Sequence, residues 1–520
     1  MYSRIICGTL SGLSAEKISV ESDVAFGFPA FHIVGLADTA IKESKERVRS
    51  AIVNTGFSFP QERVIVNLSP ADIKKEGTHF DLPIALGILS AGQKIRIRKE
   101  WKGSDCAFLG ELALDGSLVR IRGMLPLLVD LRAAGVKKFI IPSQNLKEAE
   151  IVSDITLLPA KHLREVAEHV SGGRQIASKE GGKNDSSVNS VLSGAGGVDF
   201  SEVIGQENAK RALQISASAM HNILMVGSPG CGKSMLARRL PGILPPLTYG
   251  EMIELTKIYS VCGMIDEEQP LITSRPFRTP DTKITPAALV GGGVRPKPGE
   301  ATLAHLGVLF LDELPEFSRV SLEALRGPME DEEVSISRTG GKLLFPAKFL
   351  TVVAMNPCPC GYLGDPAREC TCTSYQISRY QSKLSGPFLD RIDLFVHVNS
   401  PIPDDFRKTA EHRTLGGEAL STAELRKGVL RAREAQDKRF EKEDIFYNSQ
   451  MQQRHIKKYC VLSQTCEYLL NEAYHVMKLS LRGCYRILRV ARTIADIEGA
   501  ENIEEKHLAE AITYKERKWE

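Results

Sequence analysis

The 520-residue chain has no run of about 18 apolar positions, so no helix is expected to cross a membrane. Its start, MYSRIICGTLSG, has neither a long apolar segment nor a small-residue cleavage site, and secretion is not expected. There is little excess charge of either sign. The formal net charge of +3 is near neutral for this size, so any contact with nucleic acid must come from local basic clusters. No internal repeat is found. Eleven cysteines without an export signal point to reduced thiols or a metal site rather than disulfides, and the expected compartment is the cytoplasm. With 42% hydrophobic and 25% charged residues, the composition is that of a soluble protein of roughly two to four domains.

Ser171–Gly197 is rich in Gly, Ser, Asn and Lys and lacks apolar periodicity, so residues 171–198 read as a flexible linker. Before it, VIVNLSP (Val64–Pro70) and KKFIIPS (Lys137–Ser143) predict strands, and Leu125–Gly135 has helical spacing. After it, apolar strands at Asn222–Gly227, Gly307–Leu314, Lys348–Pro357 and Asp393–Val398 alternate with helical stretches. That pattern predicts a parallel sheet covered on both faces. From about Pro401 the chain reads as helical, with a last strong amphipathic helix near Leu481–Ile497.

GSPGCGKS (Gly227, Ser228, Pro229, Gly230, Cys231, Gly232, Lys233, Ser234) meets the phosphate-loop pattern directly after a strand and before a helix that starts with Met235. Its glycines let backbone N–H groups turn onto phosphates, and the helix N-terminus adds favourable dipole. Lys233 is expected to reach the β- and γ-phosphates of ATP, and Ser234 to ligate Mg²⁺. A second strand ends in Asp312-Glu313, placed to hold Mg²⁺ and to polarise the attacking water. Asn356 closes a third strand, where it can orient that water; a plain strand-to-turn asparagine is the competing reading. Hydrolysis also needs positive charge opposite the γ-phosphate, and Arg391 and Arg486 are candidates against the alternative of ordinary surface arginines.

On these residues the chain resembles the ComM/YifB family of magnesium-chelatase-like AAA+ ATPases over nearly its whole length. The strings that carry the resemblance are VGGGVRPKPGEATLAHLGVLFLDELPEFSR, AMNPCPCGYLGDP, SGPFLDRID and RVARTIAD. The resemblance implies an α/β AAA+ core at residues 199–400 and a helical lid at 401–520. Asp312 and Glu313 become the Walker B pair, Asn356 sensor 1, Arg391 a finger on a neighbouring subunit's ATP, and Arg486 sensor 2. Ile204, Gly205 and Gln206 match the segment lining the adenine pocket. A finger supplied from a neighbour implies a ring, usually a hexamer. Glu333–Phe349 alternates and turns at Gly340-Gly341, a β-hairpin signature. In similar motors the hairpin faces the central pore, which makes Arg338 and Lys342 candidates for DNA phosphate contacts, with a solvated hairpin tip as the alternative. A second pore-facing insert resembles Arg275–Glu300, with Arg278, Lys283, Arg295 and Lys297. There Asp281-Thr282 stand where the family commonly has two histidines.

Residues 1–170 resemble the Lon-protease S5-type domain, in GTHFDLPIALGILSA and the stretch from Phe108 to Pro142. A Lon-like peptidase needs a serine nucleophile and a lysine base. His79 stands at the serine position, and the lysine position falls near Leu125-Pro126, so a non-catalytic platform is expected.

Cys358, Cys360, Cys370 and Cys372 form C-x-C-x₉-C-x-C, which satisfies the ligand count of a structural Zn²⁺ site; unligated thiols are the alternative. The other cysteines, such as Cys231 and Cys484, lack partner spacing and read as packing residues. Glu424–Phe440 carries Arg426, Lys427, Arg431, Arg433, Lys438 and Arg439, either a solvated helix face or a DNA-facing stripe. The leading reading is an ATP-driven translocase on single-stranded or branched DNA; by resemblance it is a helicase that migrates recombination intermediates during natural transformation. A remodelling motor for a partner protein, as in the magnesium chelatase I subunit, is the second reading. The absence of a Lon-like domain and of the cysteine cluster from that subunit speaks for the first.

Overall fold

The computed structural model describes residues 1–182, 198–293, 296–338, 341–399 and 420–515. They form two units: Met1–Ser193 with Thr248–Thr273 and Ser335–Phe345, and Gly194–Leu247 with Ser274–Val334 and Pro346–Glu520.

The first unit holds two four-stranded sheets. In one, β1 (Tyr2–Ser11), β2 (Ser14–Ala25), β3 (Ala30–Val34) and β4 (Arg63–Ser69) lie in the order β1-β2-β4-β3, antiparallel except for the parallel β3–β4 pair. In the other, β5 (Cys106–Phe108), β6 (Lys138–Pro142) and β7 (Thr156–Ala160) are parallel, and β8 (Lys179–Glu180) adds an antiparallel edge. β8 lies inside the stretch read as a linker. So does Ile176, which is buried and donates its N–H to His169 Nδ1 at 3.0 Å. The helix Asp81–Ala91 is buried nearly all round because its sequence, DLPIALGILSA, is apolar on every face.

The helix Tyr249–Cys262 belongs to this unit as part of the stretch Thr248–Thr273, although the chain before and after that stretch belongs to the other. It starts at a capping box of Thr248 and Glu251 and ends at Gly263, whose φ of +69° suits glycine. Its Met252, Leu255 and Ile258 are buried, and it packs along the helix Met124–Ala133. Lys257 Nζ lies 3.1 Å from Asp130 Oδ1.

The second unit is built on five parallel strands: β9 (Ile223–Val226), β10 (Phe277–Arg278), β11 (Val308–Leu311), β12 (Leu350–Met355) and β13 (Leu394–His397). Their order is β10-β11-β12-β9-β13, so the last strand and the fourth flank the first. Every residue of β9, β11 and β12 is buried and apolar or small, as a strand covered on both faces requires. The C-terminal helices Thr422–Phe440, Leu481–Glu498 and Glu505–Thr513 share one apolar core with this sheet, through Leu425, Val429, Ile487, Ile494 and Leu508. Glu333–Arg338 and Gly341–Pro346, most of which belong to the first unit, pair as the two-stranded ribbon expected from the Gly-Gly turn. Gly340, the side chain of Arg338, and Arg295 lie outside the described residues.

Candidate nucleotide-binding site

The phosphate-loop motif joins β9 to the helix Lys233–Ile243. Gly230 (φ +80°) and Gly232 (φ +99°) hold left-handed conformations that cost side-chain-bearing residues energy. A Cβ at Gly227 would lie 2.1 Å from Val398 O, so only glycine lets the loop lie this close to the end of β13. The loop therefore opens a helix N-terminus at the carboxyl edge of β9, an interior strand of the sheet, the standard position for anions in open α/β sheets.

Three neighbouring strands deliver their chemistry to this edge. Lys233 is buried, and its Nζ donates to Gly227 O (2.6 Å), Ser228 O (2.9 Å) and Asn356 Oδ1 (3.2 Å). Ser234 Oγ donates to Asp312 Oδ2 at 2.7 Å. Cys231 is buried, with its sulfur 3.7 Å from Lys233 Nζ, while Pro229 and Met235 are exposed. Glu313 is exposed and left-handed (φ +54°), a conformation that costs roughly 1 kcal/mol or more and is held where the surroundings require it. It shares a cleft of about 450 Å³ with Asn356, Glu316, Arg379, Tyr380 and Lys383. Burial, then the carboxylates of Glu316 and Glu313, push the Tyr380 hydroxyl up to about 12.

Gly205 and Gln206, both at positive φ, turn the chain into the helix Glu207–Ala219, and Gln206 Nε2 donates to Asn399 O at 2.5 Å. Beside them is a cleft of about 500 Å³ lined by Asn208, Arg211, Val226, His397, Asn399 and Tyr514; Ile204, Gly205 and Gln206 are not in its wall.

The two arginines lie elsewhere. Arg391 precedes β13, which runs parallel to β9 with Leu394 opposite Ile223, and Asn222 Nδ2 donates to Arg391 O at 2.9 Å. Arg391 is thus at the amino edge of the sheet, and Gly227 is at the carboxyl edge. Arg486 is at the amino edge too: its Nη1 donates to Ile392 O at 2.7 Å, and its Nη2 lies 3.3 Å from Asp390 Oδ1. Both line a pocket of about 210 Å³ with Glu330, Arg482 and Arg489. A four-residue strand spans about 13 Å, so the chain's own phosphate loop and these arginines are separated by at least the length of β9.

The sequence pattern did not mark Glu330, which ion-pairs with Arg391 at 2.6 Å. Nor did it mark Asp365, whose carboxylate accepts from Ser228 Oγ in the phosphate loop. Asp365 stands in the GYLGDP string, but only the fold brings it to Ser228.

The four cysteine sulfurs lie within 4.8 Å of one another, a cluster compatible with Zn²⁺. Among the basic candidates, Lys342, Lys283 and Lys297 are exposed, while Arg278 is held by Glu300 through two 2.7 Å hydrogen bonds. Asp281 Oδ1 accepts from the Lys283 N–H at 2.8 Å in a turn. In Thr422–Phe440, Lys427, Arg431 and Lys438 are exposed and Arg426 is half-buried. Arg433 stacks on Tyr447, and Arg439 pairs with the buried Asp496, so the six basic residues are no single stripe. His79 is buried, with Nε2 2.8 Å from Gly8 O, and burial pushes its pKa down to about 4. Leu125 is buried as well.

Family models described as "Magnesium chelatase, subunit ChlI", "Subunit ChlI of Mg-chelatase" and "Magnesium chelatase, subunit ChlI C-terminal" match residues 199–405, 20–145 and 419–515. The competence protein ComM of Haemophilus influenzae is 41% identical over 97% of this chain and 95% of its own length. The chain belongs to the ComM/YifB family of magnesium-chelatase-like AAA+ ATPases. YifB of Escherichia coli is 40% identical over 97% of this chain and 95% of its own length. The magnesium-chelatase 38 kDa subunit of Cereibacter sphaeroides is 24% identical over 60% of this chain and 89% of its own. The family model on residues 20–145 also carries a magnesium-chelatase description. For this family ATPase chemistry with Mg²⁺ is implied. Among the described residues no helix is long and apolar enough to cross a membrane.

Proposed function

We propose that this chain is a cytoplasmic, ATP-driven ring motor, a homo-hexamer acting on single-stranded or branched DNA as a branch-migrating helicase in recombination and transformation. The observation that carries the ring is the placement of Arg391 and Arg486 at the sheet edge opposite Gly227–Ser234. In a ring, one subunit's amino edge can face the next subunit's phosphate loop, and the arginines then supply the positive charge that each ATP site needs.

Within one site, Lys233 leaves its contacts with Gly227, Ser228 and Asn356 for the β- and γ-phosphates. The Ser234 hydroxyl and Asp312 carboxylate form the adjacent pair of hard oxygens that suits Mg²⁺, which would neutralise charge on the phosphates. Glu313 polarises the attacking water, and Asn356 orients it. The four cysteines hold a structural Zn²⁺. Lys342 and Arg338 on the ribbon contact DNA phosphates. The S5-like first unit acts as a platform without peptidase chemistry, since His79 is buried where a nucleophile would need access. The name of the H. influenzae relative, a competence protein, supports the link to DNA uptake.

The test is the ATPase rate of purified protein with and without single-stranded or branched DNA, which should rise with DNA. An unchanged rate would defeat the DNA reading. Stimulation by a partner protein instead would favour a chelatase-like remodelling motor, the reading that the three magnesium-chelatase matches support.

A further inference from the structure

We propose that the metal held by Cys358, Cys360, Cys370 and Cys372 is a clamp on the phosphate loop, so that nucleotide binding depends on an intact zinc site. This rests on the reading of Gly227–Ser234 as the nucleotide loop, and it adds a control element to that loop.

The cluster has the dimensions of a metal site. Cys358 Sγ lies 3.3 Å from Cys360 Sγ and 3.6 Å from Cys370 Sγ, and Cys360 Sγ lies 3.6 Å from Cys370 Sγ. Four sulfurs about 2.3 Å from a tetrahedral Zn²⁺ sit about 3.8 Å apart. A disulfide needs about 2.05 Å, so these contacts belong to separate thiols converging on one point. A soft, all-sulfur donor set selects Zn²⁺ over Mg²⁺ or Ca²⁺.

What the site holds is a strap with no helix or strand of its own between Asn356 and Ser374. The strap begins at Asn356, which already accepts from Lys233. At Gly361 (φ +87°) a Cβ would lie 2.6 Å from Pro229 Cδ, so the strap's backbone lies directly on the phosphate loop. Four residues on, Asp365 is aimed by the Ala367 and Arg368 N–H groups (2.8 and 3.2 Å), and its other oxygen takes the hydroxyl of the buried Ser228. The strap then returns to Cys370 and Cys372. Thr373 caps the helix Ser374–Gln381, which carries Arg379 and Tyr380 into the cleft with Glu313. One metal thus closes both ends of a segment that touches the phosphate loop at two residues between them. Closing such a segment removes conformational freedom that it would otherwise regain.

The experiment uses the full-length protein. Elemental analysis should find about one zinc per chain in the native protein and little in Cys370→Ser. Titration with a fluorescent ATP analogue should give a Kd about tenfold weaker for Cys370→Ser. Asp365→Asn should keep its zinc and also bind about tenfold more weakly. Absence of zinc from native protein purified under reducing conditions overturns the site. Zinc present, with native affinity in Asp365→Asn, overturns the clamp, and this arm stands even where Cys370→Ser does not fold. If native protein carries zinc but does not bind the analogue, the nucleotide reading itself has failed, and the clamp with it.

Discussion

Arg391 Nη2 stands 2.6 Å from Glu330 Oε1 at the edge of the sheet away from the phosphate loop. Burial works against ionisation of Glu330. The hydrogen bond and charge from Arg391, joined by Arg482, outweigh it and hold the carboxyl below its ordinary range. The pair fixes the Arg391 guanidinium at the amino edge of the sheet, away from Gly227–Ser234 of its own chain.

Arg391→Ala and Lys233→Ala should each abolish ATP hydrolysis in the homogeneous protein. Mixed in equal amounts, they should recover part of the wild-type rate, because some interfaces then pair an intact phosphate loop with an intact arginine. Mixed assemblies as inactive as either parent would show that Arg391 does not act on a neighbour.

Glu313→Gln keeps the shape of the side chain and removes the carboxylate expected to polarise water. Turnover should fall by about 100-fold or more, the range for loss of a general base, while the Kd of a fluorescent ATP analogue stays near native. Retained turnover would reassign the base.

Lys342 is exposed on the ribbon. If it meets a phosphate, Lys342→Ala should weaken DNA binding at all sequences alike and reduce the slope of log K against log salt by about one per subunit engaged. An unchanged slope would place the DNA elsewhere on the molecule.

His79 makes an acid-sensitive contribution. Its folded pKa, about 4, is below the ordinary 6.5 because burial disfavours the charged ring. The stability from keeping it neutral is fully present above 6.5 and is lost as the pH falls from 6.5 towards 4, amounting to about 3 kcal/mol. Thermal unfolding of His79→Gln should therefore fall less steeply than native over that interval. Parallel pH profiles would mean that the ring is not held neutral by burial.

Much of the second unit could be read from short strings. Val308–Leu311 and Leu350–Met355 are continuous apolar runs that only a doubly covered strand accommodates, and the observed strands fall inside the predicted spans. The helix predicted near Leu481–Ile497 runs from Leu481 to Glu498. Domain membership was less legible. Tyr249–Cys262 carries ordinary helical spacing, and nothing in it says that its buried face is matched by the helix Met124–Ala133 of the first unit. Arg433 and Arg439 look alike beside Lys427 and Lys438, yet Tyr447 and Asp496 take them out of solvent. Both partners lie outside the helix that carries these arginines, beyond any periodicity within it.

The sequence by itself determined the local chemistry. It set a glycine-rich loop that can bind phosphate, an acidic strand end and four thiols in close pairs. All of these depend on residue type and short spacing, which the chain carries along its length. Tertiary structure alone decided how they meet. It set Ser234 against Asp312, laid Gly361 and Asp365 on the phosphate loop, and put Arg391 and Arg486 at the far edge of the sheet. The reason is physical: which edge a residue occupies follows from strand order and direction, and those are settled by burial of the whole sheet rather than by any segment of it.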